Sequence, residues 1–345
     1  DYAQLTVASS EAPSVYNATG SSHSIAAGRL SFVLGLHGPC TAYDTSCSSG
    51  LVASHAAMRA LQCMEISRAL VAAVNLMLIP GVGLSFAIAG MTSTLGRSHT
   101  FDARADGYVR AEACASTVLS GTAPEPIDAL PLPSLIGSSV RQDGRSASLT
   151  APNGLAQQAL LDAALANAAI VPEHLDRVEA HGTGTALGDP LEARSLALSA
   201  LVVAECSQPL ALGGIKANIG HAEAAAGLVG LLNAYMVLQG AVVPPNAQLQ
   251  TLNPHVHRAL AQTKIGLSTQ LVMSQPKKRA AGSASSFGYN GTIAHCIMGH
   301  SGGLHAPHIE CPDESSVQYR RQRFTWRSHK CRAFGPGTRP IVRNG

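Results

Sequence analysis

Apolar residues recur with two different spacings along this chain, and the two kinds of segment alternate. Short, uninterrupted apolar runs such as Arg68–Leu76 are typical of strands in a sheet. Longer runs rich in alanine and leucine, such as Gly154–Ala169, place apolar residues three and four positions apart, which is typical of helices. Because strands and helices alternate in two successive halves, the pattern predicts helices layered on sheets in an α/β architecture.

The predicted elements extend along most of the chain up to residue 298. The predicted helices are Ser21–Gly35, Leu51–Leu61, Gly154–Ala169, Asp189–Leu201 and Ala222–Leu238. The predicted strands are Gly38–Tyr43, Arg68–Leu76, Ala113–Leu119, Ser134–Val140, Asp176–Ala180, Pro209–Ile215, Arg279–Ser285 and Thr292–Met298. The last of the helices is apolar nearly all round, so we expect it to be buried.

The uncharged stretch Ala69–Gly96 is long enough to raise the question of a membrane span. Asn75, Pro80 and four glycines interrupt it, and it opens with a short β-like piece. We therefore expect a strand, a turn and a short helix in a buried sheet protein, and no membrane span.

Composition and charge agree with a large globular core. Of the 345 residues, 46% are hydrophobic and 13% are charged. From Ser301 onwards the chain has eight Lys and Arg against three Asp and Glu, whereas the remainder has sixteen against eighteen. The main body is therefore not a basic surface, and we expect no nucleic-acid partner.

The chain has eight cysteines, and no two are spaced as a Cys-x-x-Cys pair. This usage is typical of the cytoplasm or of an organelle lumen with reducing conditions, rather than of a disulfide framework. The sequence begins at Asp1, without a methionine or a signal-peptide pattern. We therefore expect a fragment whose targeting is unknown.

One cysteine stands at a sharp predicted turn. Cys47 lies between the strand-like Gly38–Tyr43 and the helix Leu51–Leu61, with small residues on both sides. The free N–H groups and the positive dipole end of a helix favour a thiolate over a thiol. The arrangement predicts an activated nucleophile, like the serine at the strand–helix turn of α/β hydrolases. A buried structural cysteine is the alternative.

Two histidines share a comparable placement. His181 follows a predicted strand and precedes Gly-Thr-Gly-Thr, and His221 follows a strand and begins a helix. Each neutral ring can donate a hydrogen bond to a carbonyl oxygen that gains negative charge. A helix start disfavours an imidazolium, so we expect His221 to be neutral. Either histidine alone could be structural, but with Cys47 they form a Cys/His/His set.

A late glycine turn, Ser285–Thr292, lets backbone N–H groups approach a ligand closely. We expect the N–H of Tyr289 and the N–H of Cys47 to form an oxyanion hole. One such donor is typically worth about 3 kcal/mol of the reaction barrier.

Three other kinds of site fit these residues less well. The glycines of His181–Thr185 lack the GxGxxG spacing of a Rossmann nucleotide site. Zinc would need a local pair of ligands, so we expect no metal. A papain-like Cys/His protease needs the thiolate and one imidazole, but neither a second histidine at a strand end nor the glycine turn.

Four motifs in order resemble those of β-ketoacyl synthases, above all the ketosynthase domains of type I polyketide synthases. They are Asp44–Ser49, Glu179–Thr185, Lys216–His221 and Ser286–Thr292. Two further segments, Phe101–Arg110 and Val242–Asn246, fit the same pattern. The resemblance extends from about residue 13 to residue 298.

The resemblance implies a thiolase-like fold of two similar halves in α-β-α-β-α layers, normally in a homodimer. It implies that Cys47 takes an acyl chain as a thioester from an acyl carrier protein. A malonyl-type extender on a carrier is then decarboxylated, and its carbanion attacks that thioester. In this scheme His181 and His221 promote decarboxylation and hold the thioester oxygen. No metal or redox cofactor is implied, because the phosphopantetheine belongs to the carrier.

The resemblance also implies secondary roles and a division of the chain. The supporting residues are Lys216, Glu223, Thr183 and Thr185, and the gating residues are Phe287 and Tyr289. The division gives an N-terminal half at 1–125, a C-terminal half at 126–298 and a linker or tail at 299–345. The tail contains Tyr319–Trp326, which either straps onto the domain surface through its aromatic residues or is solvated.

This chain departs from the family pattern at some positions. Ser46 stands where alanine is usual, and Gly50 stands where serine is usual. The family's domain begins well before Asp1, so we expect an N-terminally truncated chain whose first half is incomplete.

The leading hypothesis is an acyltransferase that condenses acyl chains in polyketide or fatty acid biosynthesis. One alternative is a ketosynthase that passes chains on without extending them, which the presence of His181 disfavours. A second is an inactive fragment with a structural or dimerisation role; the intact Cys/His/His set opposes this, and a missing N-terminal part favours it. A third is a thiolase, which generally uses a second cysteine where this chain has a histidine.

Overall fold

The computed structural model describes residues 2, 4–5, 14–121, 132–202, 209–240, 242–273 and 279–301. Its helices are α1 (Asn17–Ser21), α2 (His23–Leu34), α3 (Ser49–Gln62), α4 (Pro80–Ile88), α5 (Gly154–Ala168), α6 (Gly188–Ala197), α7 (Lys216–Ile219), α8 (Ala226–Gly240) and α9 (Pro254–Leu260). Its strands are β1 (Arg68–Asn75), β2 (Ala113–Ser120), β3 (Ser134–Gln142), β4 (Leu175–Glu179), β5 (Leu210–Gly213), β6 (Val242–Val243), β7 (Ile265–Leu267), β8 (Val272–Met273), β9 (Arg279–Phe287) and β10 (Thr292–Ser301).

A six-stranded mixed sheet organises the second half of the chain, in the order β3-β10-β9-β4-β5-β7. Strands β9, β4, β5 and β7 are parallel to one another, while β10 is antiparallel to both β9 and β3. Glu179 of β4 pairs with Ala284 of β9. The residues that follow this pairing in the two segments, including His181 and Phe287, therefore emerge side by side at one edge of the sheet.

Helices cover both faces of this sheet. On one face α5, α6 and α9 form an apolar core with the strands, centred on Leu161, Leu196 and Val256. On the other face Leu51 of α3 and Leu228 of α8 are fully buried in a second core. This second core also includes β1 and β2, so α3 and α8 lie between the two sheets. The predicted α/β layering of a thiolase-like fold is confirmed for four of its five layers among the described residues, with the first half incomplete as expected.

The first sheet is smaller, and its apolar residues are less buried than predicted. It consists of the antiparallel pair β1 and β2. The expected strand and short helix within Ala69–Gly96 are confirmed as β1 and α4, but burial of the whole stretch is wrong. Val71 faces the core, whereas Val74 is 55% exposed and Ile88 79% exposed. Among the described residues, α3 and α8 pack on one face of this sheet, and the other face remains open.

The strand predicted at Gly38–Tyr43 is wrong. These residues are exposed and have no strand pairing. A strand needs a neighbouring strand to satisfy its N–H and C=O groups, and no described segment pairs with this one.

The other predicted elements are confirmed with small changes at their ends. Helix α2 ends at Gly35, whose φ of 63° is the left-handed conformation that a terminal glycine accepts without strain. Helix α6 ends at Ala197, four residues before its predicted end. Helix α8 begins after a 3₁₀ turn, and among its residues only Met236 is exposed, as its all-round apolar pattern predicts.

Some expectations fall outside this description. The predicted division between residues 125 and 126 lies outside the described residues. The tail beyond residue 301, with Tyr319–Trp326, also lies outside them. Within the described ranges, no helix combines the length and the apolar character needed to cross a membrane.

Close contact between α3 and α8 depends on a glycine. A Cβ atom on Gly50 would lie 2.9 Å from the backbone nitrogen of Leu228. The two helices approach each other too closely at this position for a side chain. We predict that Gly50→Ala lowers the free energy of unfolding by about 1–3 kcal/mol, the usual cost of overpacking.

Urea unfolding measures this change, with Gly28→Ala in α2 as the matched control. A Cβ on Gly28 meets no atom within 4 Å, and alanine is the better helix former. The control should therefore lose no stability. Equal stability of the Gly50→Ala variant and the original chain would contradict the close helix contact.

Candidate active site

Cys47 lies in a tight turn immediately before α3, and hydrogen bonds fix that turn from both sides. The backbone N–H of Thr45 donates to Ser49 Oγ at 2.9 Å, and Ser49 Oγ donates to the carbonyl of Ser46 at 2.6 Å. Ser46 has a φ of 58°, a left-handed conformation that is uncommon for a residue with a side chain. From β9, Ser286 Oγ donates to the carbonyl of Cys47 at 2.6 Å. The turn therefore holds Cys47 against β9 of the six-stranded sheet.

His221 is hydrogen-bonded to the Cys47 sulfur. Its Nε2 lies 3.0 Å from Sγ, and its Nδ1 accepts a hydrogen bond from the backbone N–H of Glu223 at 3.1 Å. A neutral imidazole carries a single N–H, so an Nδ1 that accepts places the proton on Nε2. The Nε2–H of His221 therefore points at the sulfur.

His181 has the same arrangement beyond the end of β4. Its Nδ1 accepts from the backbone N–H of Phe287 at 3.3 Å, which again leaves the proton on Nε2. The two imidazole rings are 5.7 Å apart and nearly perpendicular, at 86°. Ligating atoms of Cys47, His181 and His221 all lie within 4.8 Å of one another. The structure thus brings together the three residues that the sequence grouped.

The sequence predicts that Cys47, His181 and His221 each follow a strand, and this prediction is correct only in part. His181 follows β4 after a single residue. Between β5 and His221, however, lie α7 and Gly220, whose φ is 81°. The strand expected before Cys47 is absent from the described segment 38–43. The three residues converge through one strand end and two tight turns, which the alternation of apolar runs could not indicate.

Burial dominates the electrostatics of the sulfur. It raises the pKa of the Cys47 thiol to about 12, while Lys216 and the backbone N–H groups of Cys47 and Tyr289 lower the pKa, and the carboxylate of Glu223 raises it. Backbone N–H groups favour the thiolate, as expected, but burial outweighs them in the free protein. Burial could not be read from the sequence.

Burial also keeps both histidines neutral. It lowers the pKa of His221 and the pKa of His181 well below 6.5, and the positive charge of Lys216 acts in the same direction. The expected neutrality of His221 is confirmed, although the cause is burial and not a helix start. Lys216 is itself buried, and its own pKa is lowered for the same reason.

Two buried carboxylates hold the loop after β4, and the sequence interpretation missed both. Glu192 accepts hydrogen bonds from the backbone N–H of His181 at 2.7 Å and of Gly182 at 2.8 Å. Asp189 accepts from the N–H of Gly184 at 3.0 Å and from that of Phe101 at 2.7 Å. Burial raises the pKa of Glu192 to about 7 and that of Asp189 to about 6. Two acids one helical turn apart, at the start of a mostly apolar helix, were an available signal.

The other predicted site residues surround the three central ones. Thr183 and Thr185 approach each other through their hydroxyls at 3.3 Å, and Thr185 also accepts from the N–H of Gly188. They stabilise the loop, and the structure gives neither a hydrogen bond to the sulfur. Glu223 acts on His221 through its backbone N–H, while its carboxylate pairs with Arg110.

The glycine turn after β9 lies against the turn that carries Cys47. The backbone N–H groups of Tyr289 and Cys47 both lower the pKa of the Cys47 thiol. Gly288 fits because a Cβ there would collide with the carbonyl oxygen of Thr45. Phe287 is buried with its ring 5.3 Å from that of His181, whereas Tyr289 is 45% exposed. The turn therefore contributes one of the two backbone donors, the N–H of Tyr289, and places the ring of Phe287 beside His181.

Comparison with known proteins decides the family. The model described as "Beta-ketoacyl synthase, N-terminal domain" matches residues 1–124, and the model described as "Beta-ketoacyl synthase, C-terminal domain" matches residues 132–250. The chain belongs to the β-ketoacyl synthase family. Ketosynthases of this family are condensing acyltransferases.

Similar curated proteins are subunits of polyketide synthases. One subunit of the phenolphthiocerol/phthiocerol polyketide synthase of Mycobacterium tuberculosis is 42% identical over 284 residues, which are 82% of this chain and 13% of that protein. Another subunit of the same synthase is 39% identical over 321 residues, which are 92% of this chain and 20% of that protein. The ketosynthase chain thus spans a fifth or less of these curated relatives.

Solved ketosynthase structures have the same fold. The ketosynthase from module 6 of the bacillaene synthase of Bacillus subtilis superposes with a TM-score of 0.75 at 33% identity, over 84% of this chain and 53% of that one. An oxazolomycin ketosynthase domain from Streptomyces albus gives 0.77 at 32% identity, over 83% and 50%. This chain spans about half the length of these neighbours.

The sequence predicts no metal at this site, and the protonation of the three central side chains is relevant to that prediction. Cys47, His181 and His221 are close enough together to surround one ion. Both imidazoles, however, use their Nδ1 lone pairs on backbone N–H groups, which leaves the proton on Nε2, and the Nε2–H of His221 points at the sulfur. A metal needs a lone pair at that position. The arrangement suits an oxyanion better than a cation.

We predict that His181 and His221 remain neutral, with the proton on Nε2, as the pH is lowered through about 6.5. Their pKa values lie well below 6.5, so acidification through that value leaves them unprotonated in the folded protein. Nitrogen-15 NMR of the histidine-labelled protein measures both the tautomer and the charge. An imidazolium signal from either residue near pH 6.5, or a dominant Nδ1–H form, would contradict the assigned tautomers.

Proposed function

We propose that this chain catalyses decarboxylative Claisen condensation between a Cys47-bound acyl chain and a malonyl-type extender on an acyl carrier protein. The observation that carries the proposal is the pair of imidazoles whose Nδ1 atoms are held by backbone N–H groups. Two neutral imidazoles that carry their protons on Nε2 then lie beside one sulfur. Such a pair stabilises negative charge on an oxygen that lies close to a nucleophile.

In the first step the Cys47 sulfur attacks the carbonyl carbon of an acyl thioester. A C–S bond forms to Cys47, the C–S bond to the carrier breaks, and one thiol proton passes from Cys47 to the released carrier thiol. The developing oxyanion lies toward the backbone N–H groups of Cys47 and Tyr289. Because the free thiol is protonated at neutral pH, the neighbouring Nε2–H of His221 stabilises the thiolate as the proton leaves.

In the second step the extender loses its carboxylate as CO₂. The electron pair of the broken C–C bond delocalises into the extender thioester, whose oxygen accepts from the Nε2–H groups of His181 and His221. The carbanion attacks the carbonyl of the Cys47 thioester, the C–S bond to Cys47 breaks, and the sulfur recovers a proton. The products are CO₂ and a β-ketoacyl chain on the carrier.

The secondary proposals follow from the same scheme. Lys216 and Glu192 maintain the electrostatics and the shape of the histidine site. Thr183 and Thr185 shape the loop beside it, and Phe287 with Tyr289 gates the access of substrate. The domain requires no bound metal or redox cofactor, and the phosphopantetheine arm arrives with the carrier. A homodimer and the division at residue 125 remain predictions from the family resemblance.

Acylation of Cys47 and release of CO₂ can be measured separately. Together they distinguish a condensing ketosynthase from one that transfers chains without extending them. We predict that His181→Ala still forms the acyl-enzyme but releases CO₂ from malonyl-pantetheine about 100-fold more slowly, because one oxyanion donor is lost. The measurement is CO₂ release by the acylated protein, compared between wild type and the variant after thermal unfolding confirms that both are folded. Acylation without any CO₂ release in wild type would instead favour a ketosynthase that transfers chains without extending them.

A further inference from the structure

The segment before β2 forms two backbone hydrogen bonds with His221. The N–H of His221 donates to the carbonyl of Val109 at 2.7 Å, and the N–H of Ala111 donates to the carbonyl of His221 at 2.9 Å. Arg110 lies between these two contacts and forms an isolated parallel bridge with His221. Any displacement of this segment therefore moves the backbone that carries the imidazole.

The side chain of Arg110 reaches the residue that fixes the imidazole tautomer. Its guanidinium forms a two-point ion pair with Glu223, from Nε to Oε1 and from Nη2 to Oε2. The Arg110 side chain is 11% exposed and that of Glu223 is 17% exposed, so solvent screens the pair only partly. The backbone N–H of the same Glu223 holds His221 Nδ1.

Glu223 has a conformation that needs support. Its φ of 44° is in the left-handed region, which is strained for a residue with a side chain and persists when neighbouring groups fix it. The fork of the Arg110 guanidinium matches the carboxylate at two points, so it restricts both the position and the orientation of Glu223. This restriction supports the direction in which the Glu223 N–H points.

The guanidinium of Arg110 also contacts an aromatic ring next to the glycine turn. It lies over the ring of Phe86 in α4, 5.4 Å from the ring centroid. Phe86 in turn makes an edge contact with the ring of Tyr289, at 6.3 Å. Arg110 thus touches one residue that orients His221 and one that packs against the turn carrying Tyr289.

We propose that Arg110 is a positioning residue of the ketosynthase site. Its ion pair with Glu223 holds the backbone donor that keeps the His221 proton on Nε2, and it neutralises the carboxylate of Glu223. The proposal rests on the proposed function for its purpose, but it concerns the state of His221 and of the sulfur, which can be measured without any condensation.

The charge of Glu223 is the reason that neutralisation matters. Its carboxylate raises the pKa of Cys47, and an unpaired carboxylate would do so more strongly. The titratable or charged groups that act on the sulfur come from several segments. They are Lys216, Glu223, His181, His221 and Tyr108, with Arg110 behind Glu223.

Opposite changes in thiol reactivity test the proposal. The rate of Cys47 alkylation by iodoacetamide is measured at mildly alkaline pH, with peptide mass mapping to separate it from other cysteines. We expect Arg110→Met to slow alkylation about threefold and Glu223→Gln to accelerate it about threefold, since thiolate fraction and nucleophilicity partly offset each other. Rates that change in the same direction in both variants, or that do not change, would overturn the proposal.

A matched control is available in the same segment. Arg104 forms a comparable two-point pair with Asp102, at 2.7 and 3.2 Å, but contacts neither Glu223 nor His221 in the described structure. Arg104→Met should leave the alkylation rate of Cys47 unchanged. Equal slowing by Arg104→Met and Arg110→Met would show a general loss of structure and would overturn the positioning role.

The His221 tautomer provides an independent readout. Nitrogen-15 NMR should show a larger Nδ1–H or imidazolium population for His221 in Arg110→Met, and the wild-type Nε2–H form in Arg104→Met. An unchanged tautomer in Arg110→Met would overturn the assigned role. None of these measurements requires a carrier or an extender, so failure of the proposed condensation would leave them interpretable.

Discussion

The chemistry of this site depends on two backbone N–H groups that donate hydrogen bonds to the Nδ1 atoms of two imidazoles. Glu223 supplies one donor and Phe287 the other. Each donor fixes which nitrogen carries the single proton of a neutral ring, and burial, which lowers the pKa of both rings, prevents a second proton from binding. The outcome is a pair of directional N–H groups beside Cys47. Stabilisation of an oxyanion, rather than general base catalysis at the sulfur, is the function that this pair fits.

The fold explains how these donors reach the correct positions. Pairing of β4 with β9 places His181 beside the residue that holds its ring. His221 belongs to a different connection, in which α7 and a left-handed glycine turn the chain back toward the sulfur. The close approach of α3 to α8 then brings Cys47 to the same place. Small residues are needed at that contact because a side chain would separate the nucleophile from the histidines.

The reactive residues could be identified from the sequence because each stands in a motif whose residue types have a chemical meaning. Alternation of apolar runs also predicted most elements of the larger sheet. The unpaired segment Gly38–Tyr43 could not be predicted, because pairing depends on a neighbouring strand and not on local pattern. The role of Arg110 was hidden, because it acts through Glu223, which is distant in the sequence. That contact, like the burial that raises the pKa of Cys47, exists only after folding.

The most direct test of the account is whether Cys47 accepts an acyl group. The folded protein is incubated with an acyl thioester, and the intact mass of wild type is compared with that of Cys47→Ala. The account predicts a mass gain of one acyl group in wild type and none in the variant. An unmodified wild type, or an acyl group that persists in Cys47→Ala, would contradict the assignment of Cys47 as the nucleophile of this chain.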